Sequence, residues 1–193
     1  MARPASQKSF YTSLFVIVFV LLALFQVQAG TLAGVTLPDS AQVAGKALVL
    51  NGMGLRTKMF VKVYVAGLYL EQKSSDPAAI MKSDTPWQIV MKFLYSPSKS
   101  QMSDAFEEGF KNNSPDALKT MKPDIDKLLA ALEDMKSGGE MVFTYMPGTG
   151  TTLAINGNDK LTIAGQPFQQ ALLSVWLGPK PPNANLKSGM LGH

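Results

Sequence analysis

From Met59 to Leu70 the chain reads MFVKVYVAGLYL, apolar at almost every position. In an extended conformation Val61, Val63, Val65 and Tyr69 fall on one side. Phe60, Lys62, Tyr64, Ala66, Leu68 and Leu70 fall on the other. Both sides are mainly apolar, so this strand is expected to be covered on both faces. The Lys62/Tyr64 side is the more polar and the better candidate for a cleft. Strands are also expected over Val35–Ser40, ending at Pro38, and over Ala41–Leu50. Between them and the long strand, Asn51–Gly54 reads as a turn, with Gly52 and Gly54 free to take positive φ.

The pattern then alternates between helical and extended periods. Asp76 and Pro77 open a short helix to Lys82. Pro86–Tyr95 (PWQIVMKFLY) is a strand of β-branched and aromatic residues. Ser98–Asn113 is a helix: Ser98 and Gln101 make a capping box, and Met102, Phe106 and Phe110 recur every four residues. A further helix starts at Ser114-Pro115 and is expected to break or kink at Pro123. Leu118 and Met121 lie before that break; Ile125, Leu128, Leu129 and Leu132 follow it. After Gly138-Gly139 come strands at Glu140–Met146, Thr151–Ile155 and Lys160–Ala164, with Asn156-Gly157 as a hairpin signal. A last helix begins near Gln166-Pro167, carries Phe168, Leu172, Leu173, Val175 and Trp176, and stops at Gly178-Pro179. Pro181–His193 has little periodicity.

The N-terminus has a different pattern. Arg3 and Lys8 precede an uncharged apolar run, Phe10–Phe25, and Val27-Gln28-Ala29 suits a cleavage site. As a helix the run spans about 24 Å, short of a hydrocarbon core of about 30 Å. Met1–Gln28 therefore reads as an export signal cut after Ala29, with an uncleaved anchor as the alternative. The expected organisation is a signal peptide over residues 1–29, one domain over 30–182 and a tail over 183–193. The domain would be periplasmic or secreted, without stable membrane insertion once the signal is removed.

Composition narrows the chemistry. The 193 residues contain no cysteine, which excludes disulfides, thiol catalysis and cysteine metal sites. The single histidine is His193, so a Ser-His-Asp triad or a histidine metal cluster is not expected. No cofactor is implied. Arg3 and Lys8 are the only charged side chains in residues 1–29, leaving 16 basic against 14 acidic residues. That near balance, without a basic stripe, gives no electrostatic footprint for nucleic acid. Glu107/Glu108 and Asp124/Asp126 are spaced as solvated helix faces rather than paired carboxylates. The 11 methionines suit ordinary core filling or an adaptable apolar pocket.

One residue stands apart. Beyond the N-terminal segment Arg56 is the only arginine. Its guanidinium is a permanently charged fork suited to a carboxylate or an enolate-like oxygen. A structural ion pair is the plainer reading. Tyr64 shares strand parity with Lys62 and is expected beside Arg56. For Tyr64, Tyr69, Tyr95 and Tyr145 alike, the plainer reading is a core aromatic whose hydroxyl reaches the surface.

Gly52-Met53-Gly54-Leu55-Arg56, followed by Phe60-Val61-Lys62-Val63-Tyr64-Val65-Ala66-Gly67-Leu68-Tyr69-Leu70-Glu71, resembles the chalcone isomerase family. The likeness is to its exported bacterial members and its fatty-acid-binding branch, and it covers roughly Val35–Pro182. The resemblance implies an α+β fold, an open-faced β-sandwich in which a curved antiparallel sheet is covered by helices, with the ligand between. Arg56 matches the arginine that positions substrate in the isomerases and holds a ligand carboxylate in the fatty-acid binders. Tyr64 stands where the isomerases carry a catalytic threonine. Met102 and Gly109 stand where they carry a helix tyrosine and asparagine; Asn112 and Asn113 would need a helix shift to substitute. The resemblance thus implies a small amphipathic ligand, a fatty acid or flavonoid-like molecule, bound by Arg56, Tyr64, Phe60, Met102 and Phe106. Arg56 would be the catalytic group of an intramolecular lyase if turnover survives. A structural periplasmic module is the remaining alternative.

Overall fold

The computed structural model describes residues 29–193; the expected signal, Met1–Gln28, lies outside the described residues. Among the described residues, nine strands and six helices follow in order. β1 (Ala29–Leu32) and β2 (Val35–Pro38) form a separate hairpin. β3 (Ser40–Val43), β4 (Lys46–Lys58), β5 (Val61–Leu70), β6 (Trp87–Phe93), β7 (Glu140–Met146), β8 (Gly150–Ile155) and β9 (Asn158–Ile163) form one antiparallel sheet in that spatial order. The helices are α1 (Pro77–Lys82), α2 (Lys99–Asn113), α3 (Ala117–Thr120), α4 (Lys122–Ala131), α5 (Gln166–Leu177) and α6 (Ala184–Met190). This is the expected architecture, a curled sheet with helices laid across it.

Tyr64–Leu70 is buried without interruption. On one side Tyr64, Ala66, Leu68 and Leu70 join the main core with Trp87, Phe106, Phe143 and Trp176. On the other side Tyr69 joins Leu37, Val43, Leu48, Leu50 and Val90 beneath the β1–β2 hairpin. The Tyr69 hydroxyl donates to the Pro38 carbonyl at 2.8 Å. Cover on both faces is thus as expected along this stretch.

Local signals hold where they are self-contained. The Asp76 side chain caps α1, and Ser98 and Gln101 form the capping box of α2. The helical run breaks at Met121, between α3 and α4, as expected, and Pro123 lies in the first turn of α4, where it lacks no needed donor. Three two-residue hairpin loops are Ala33-Gly34, Ala44-Gly45 and Asn156-Gly157, each with positive φ at both residues. Ala44-Gly45 splits the single strand expected over Ala41–Leu50 into β3 and the start of β4.

The reading of Asn51–Gly54 as a turn is corrected. These residues lie inside β4, a strand of 13 residues, and neither Gly52 nor Gly54 takes positive φ. The glycines serve close approach instead. A Cβ on Gly52 would lie 2.1 Å from the Gly189 carbonyl oxygen, and one on Gly54 would lie 2.1 Å from that of Leu186. Helix α6 packs its backbone against the strand at these points. The Asn51 amide fixes the upper end: it donates to the Met190 carbonyl at 2.8 Å and to that of Ser74 at 3.0 Å, and accepts from the Ser74 amide.

The expected tail is therefore structured. Leu186, Met190 and Leu191 are part of the main core. Burying Leu186 or Met190 contributes about 1.5–3 kcal/mol each, more than a helix of seven residues supplies by itself.

Candidate functional site

Residues 52, 54 and 56 of β4 share a face. Two glycines leave room for α6, and Arg56 comes two residues beyond them. There the C-terminal segment begins, with the Asn183 side chain accepting from the Thr57 amide at 3.0 Å. Arg56 thus clears the end of α6 and lines a cavity of about 240 Å³ between the sheet, α2 and α5. The Gly-x-Gly-x-Arg spacing follows from strand parity.

Arg56 pairs directly with Tyr64 across the β4–β5 ladder, and its guanidinium carbon lies 5.7 Å from the centre of the Tyr64 ring. Cation–π attraction holds the charge over the aromatic face. Among the described residues Arg56 has no carboxylate partner, so the structural ion pair is not observed.

Tyr64 is buried, and its oxygen accepts from Trp176 Nε1 at 3.0 Å. The hydroxyl proton has no protein acceptor among the described residues. Trp176 is held in place by Phe106 and Phe143, with ring centres 5.8 and 5.7 Å away. Phe93 packs edge-on against Tyr64. Arg56 and the Tyr64 hydroxyl are therefore cation and donor at the wall of a mainly apolar cleft, which Lys58, Tyr95 and Gln101 also line.

Strand parity puts Tyr64 on the cleft side with Ala66 and Leu68, but the residues just before it depart from that parity. Arg56 pairs with Tyr64 but Thr57 pairs with Lys62, so Val63 is the extra residue of a β-bulge. The bulge shifts the alternation. Val61 and Val63 line the cavity together with Tyr64, and Lys62 does not. Arg56 and Tyr64 do meet, as expected, but the grouping of Lys62 with Tyr64 on the cleft side is corrected.

Met102 and Phe106 of α2 line the cleft, together with Ala105 on the same helix. Phe60 does not. It sits at the tip of the β4–β5 hairpin, 101% exposed. Met59 lies at the mouth beside it, with Lys58 and Tyr95. Sequence reasoning missed Trp176, Val63, Met91 and Phe93 as cleft residues. A tryptophan on the buried side of the last helix needs an acceptor for its N–H, and that is the signal that would have pointed to Tyr64.

Gly109 is a packing residue: a Cβ there would lie 2.7 Å from Val175 Cγ1. Asn113 is committed elsewhere. Its amide donates to the carbonyls of Gly109 and Lys180 and accepts from the Lys180 amide. A second cavity, about 460 Å³ between α2 and α4, is lined mainly by charged side chains including Glu107, Glu108 and Asp126. It is a solvated groove rather than a site for an apolar ligand.

A family model described as chalcone isomerase-like matches residues 29–192. The chain belongs to the chalcone isomerase-like family. The fold is shared with the crystal structure of the Arabidopsis thaliana fatty-acid binding protein AtFAP1. That likeness has a TM-score of 0.67 at 15% identity and covers 85% of this chain and 96% of that one. No curated protein matches the sequence. The chalcone isomerase-like match runs through α6, in keeping with the burial of that helix in the core.

Proposed function

We propose that this chalcone isomerase-like protein binds a fatty acid or similar amphipathic carboxylate. The carboxylate meets the Arg56 guanidinium and accepts the Tyr64 hydroxyl proton; the tail lies against Met91, Met102 and Phe106. One observation carries this reading: an arginine without a carboxylate partner among the described residues stands beside a buried tyrosine with a spare proton, at an apolar cleft. A charge-assisted hydrogen bond contributes about 1.5–3 kcal/mol, and each buried methylene about 0.8 kcal/mol. The tail therefore dominates affinity and Arg56 sets orientation. Methionines at three places in the lining adapt to tails of different shape. The fatty-acid binding described for the similarly folded plant protein supports the same ligand class.

The intramolecular lyase draws less support. The cleft lining contains no carboxylate or imidazole, and the helix wall offers Met102 and Ala105 rather than a hydroxyl. Chalcone closure no faster than the spontaneous reaction is the expected result. The proposal includes export: Met1–Gln28 directs the protein out of the cytoplasm, and N-terminal sequencing of the mature protein reads the cut. Ligand binding is tested by native mass spectrometry and titration. One palmitate per chain, preferred at least ten-fold over the alcohol of equal length, supports the reading; no binding of either sinks it.

A further inference from the structure

The β4–β5 hairpin breaks the rule its three counterparts keep. Those loops put glycine second, behind alanine or asparagine, and both residues take positive φ. Here the two-residue loop between Lys58 and Val61 is Met59-Phe60. Met59 takes φ +56°, a conformation that favours glycine or asparagine, and Phe60 leaves its ring wholly in solvent. Two large apolar side chains thus occupy the position where turn preference and solvation both oppose them. Val61 and Tyr95 are the other large exposed apolar residues among those described.

The tip adjoins the cleft mouth, since Met59, Val61 and Tyr95 also line the cavity. Its charge has one sign. Lys58 and Lys62 flank the loop, and Lys46–Leu70 contains no acidic residue. Two copies meeting tip to tip would oppose these lysines, whereas an anionic surface would match them. Apolar side chains between lysines are the composition of an interfacial anchor: the rings and thioether enter the acyl boundary while the ammonium groups stay at phosphate level.

We propose that the Met59-Phe60 tip docks on an anionic lipid surface and opens the cleft mouth towards it. Docking needs only the tip. Its use, taking up an amphipathic carboxylate from the lipid, rests on the function proposed above. The anchor is short, so docking is reversible and salt-sensitive.

The chain has no cysteine, so a nitroxide attached to Phe60→Cys reports on the tip alone. Asp159→Cys, exposed on β9 at the far edge of the sheet, is the control. Both are made in the full chain and mixed with phosphatidylcholine vesicles, with or without phosphatidylglycerol. The expected result is at least a five-fold loss of access to a water-soluble relaxant at residue 60 on anionic vesicles, with residue 159 unchanged. A label at 60 that stays in water, or that is shielded without vesicles because the chain dimerises, overturns the proposal. Phe60→Asp should also slow fatty-acid uptake from anionic vesicles at least five-fold and leave affinity for fatty acid added from water unchanged. Uptake as fast as in the parent protein contradicts docking as the route of entry. If the parent protein binds no fatty acid at all, the proposed function fails, and the nitroxide result alone decides the docking.

Discussion

The guanidinium of Arg56 and the ring of Tyr64 face each other across the β4–β5 ladder at 5.7 Å. Strand parity places them: Tyr64 shares its face with Ala66 and Leu68, Arg56 shares its face with Gly52 and Gly54, which admit α6, and the bulge at Val63 brings Val61 and Val63 to the same cleft. Tyr64 in turn joins this pair to α5 through Trp176.

Tyr64→Phe separates two of these roles. It removes the proposed donor to the ligand and leaves the buried Trp176 N–H without its acceptor. A stability loss of about 1–3 kcal/mol is expected in urea unfolding, with palmitate affinity lowered several-fold. With Trp176→Phe alongside it, the combined stability loss should be less than the sum of the two, because the orphaned N–H is gone, and no affinity should return. Unchanged affinity in Tyr64→Phe would show that the phenol does not touch the ligand.

Ala105→Phe fills the cleft from the α2 side. Ala105 is half-buried against the cavity rather than packed in the core. Palmitate binding should fall by at least ten-fold while the unfolding midpoint changes little. Binding that survives the added ring would move the ligand to another part of the molecule.

Gly54→Ala tests the docking of α6. The new methyl would meet the Leu186 carbonyl oxygen at 2.1 Å, and both are backbone-bound. Overpacking of this kind costs about 1–3 kcal/mol, and here it also lifts Leu186 and Met190 from the core. Denaturant unfolding should show a loss at the upper end of that range. A neutral result would mean that the C-terminal helix is not held against β4.

Stability should fall in strong alkali. Burial, then the charge of Asp39, pushes the Tyr69 phenol up to about 12. Burial, then the hydrogen bond to Asp84, does the same for Tyr145. Unfolded tyrosine loses its proton near pH 10 while the folded protein retains it. The stabilisation is therefore complete below about pH 10 and lost as pH rises towards 12. Solvent near the two hydroxyls screens part of the effect, so each tyrosine accounts for well under about 3 kcal/mol. Urea unfolding between pH 8 and 11.5 measures the slope, which Tyr145→Phe should reduce. A flat profile in the parent protein would contradict it.

Self-contained local features were legible in the sequence. Ser98 and Gln101 define their helix start by their own hydrogen bonds, and Asn156-Gly157 defines its hairpin by its own backbone preference. Arg56 could be singled out because it is the lone arginine of the domain. Gly52 and Gly54 were misread because a glycine needed for close approach looks the same as one needed for positive φ; only the position of α6 distinguishes them. That helix was itself hidden, since seven residues with weak periodicity are helical only once Leu186 and Met190 are buried. The bulge at Val63 leaves no compositional mark, so Lys62 was grouped with Tyr64. Phe60 was assigned to a ligand because it is aromatic and lies in the motif, yet a two-residue loop turns it away from the cleft.

The most direct test of the account is the carboxylate dependence of Arg56. Palmitate and its methyl ester are titrated into the parent protein and into Arg56→Met, which keeps an apolar stem and removes the charge. A contact of about 1.5–3 kcal/mol is roughly a ten- to hundred-fold change in affinity. The predicted result is a loss of that size for palmitate and none for the ester. Palmitate binding equally well to Arg56→Met and to the parent protein would contradict the assignment of Arg56 as the carboxylate anchor.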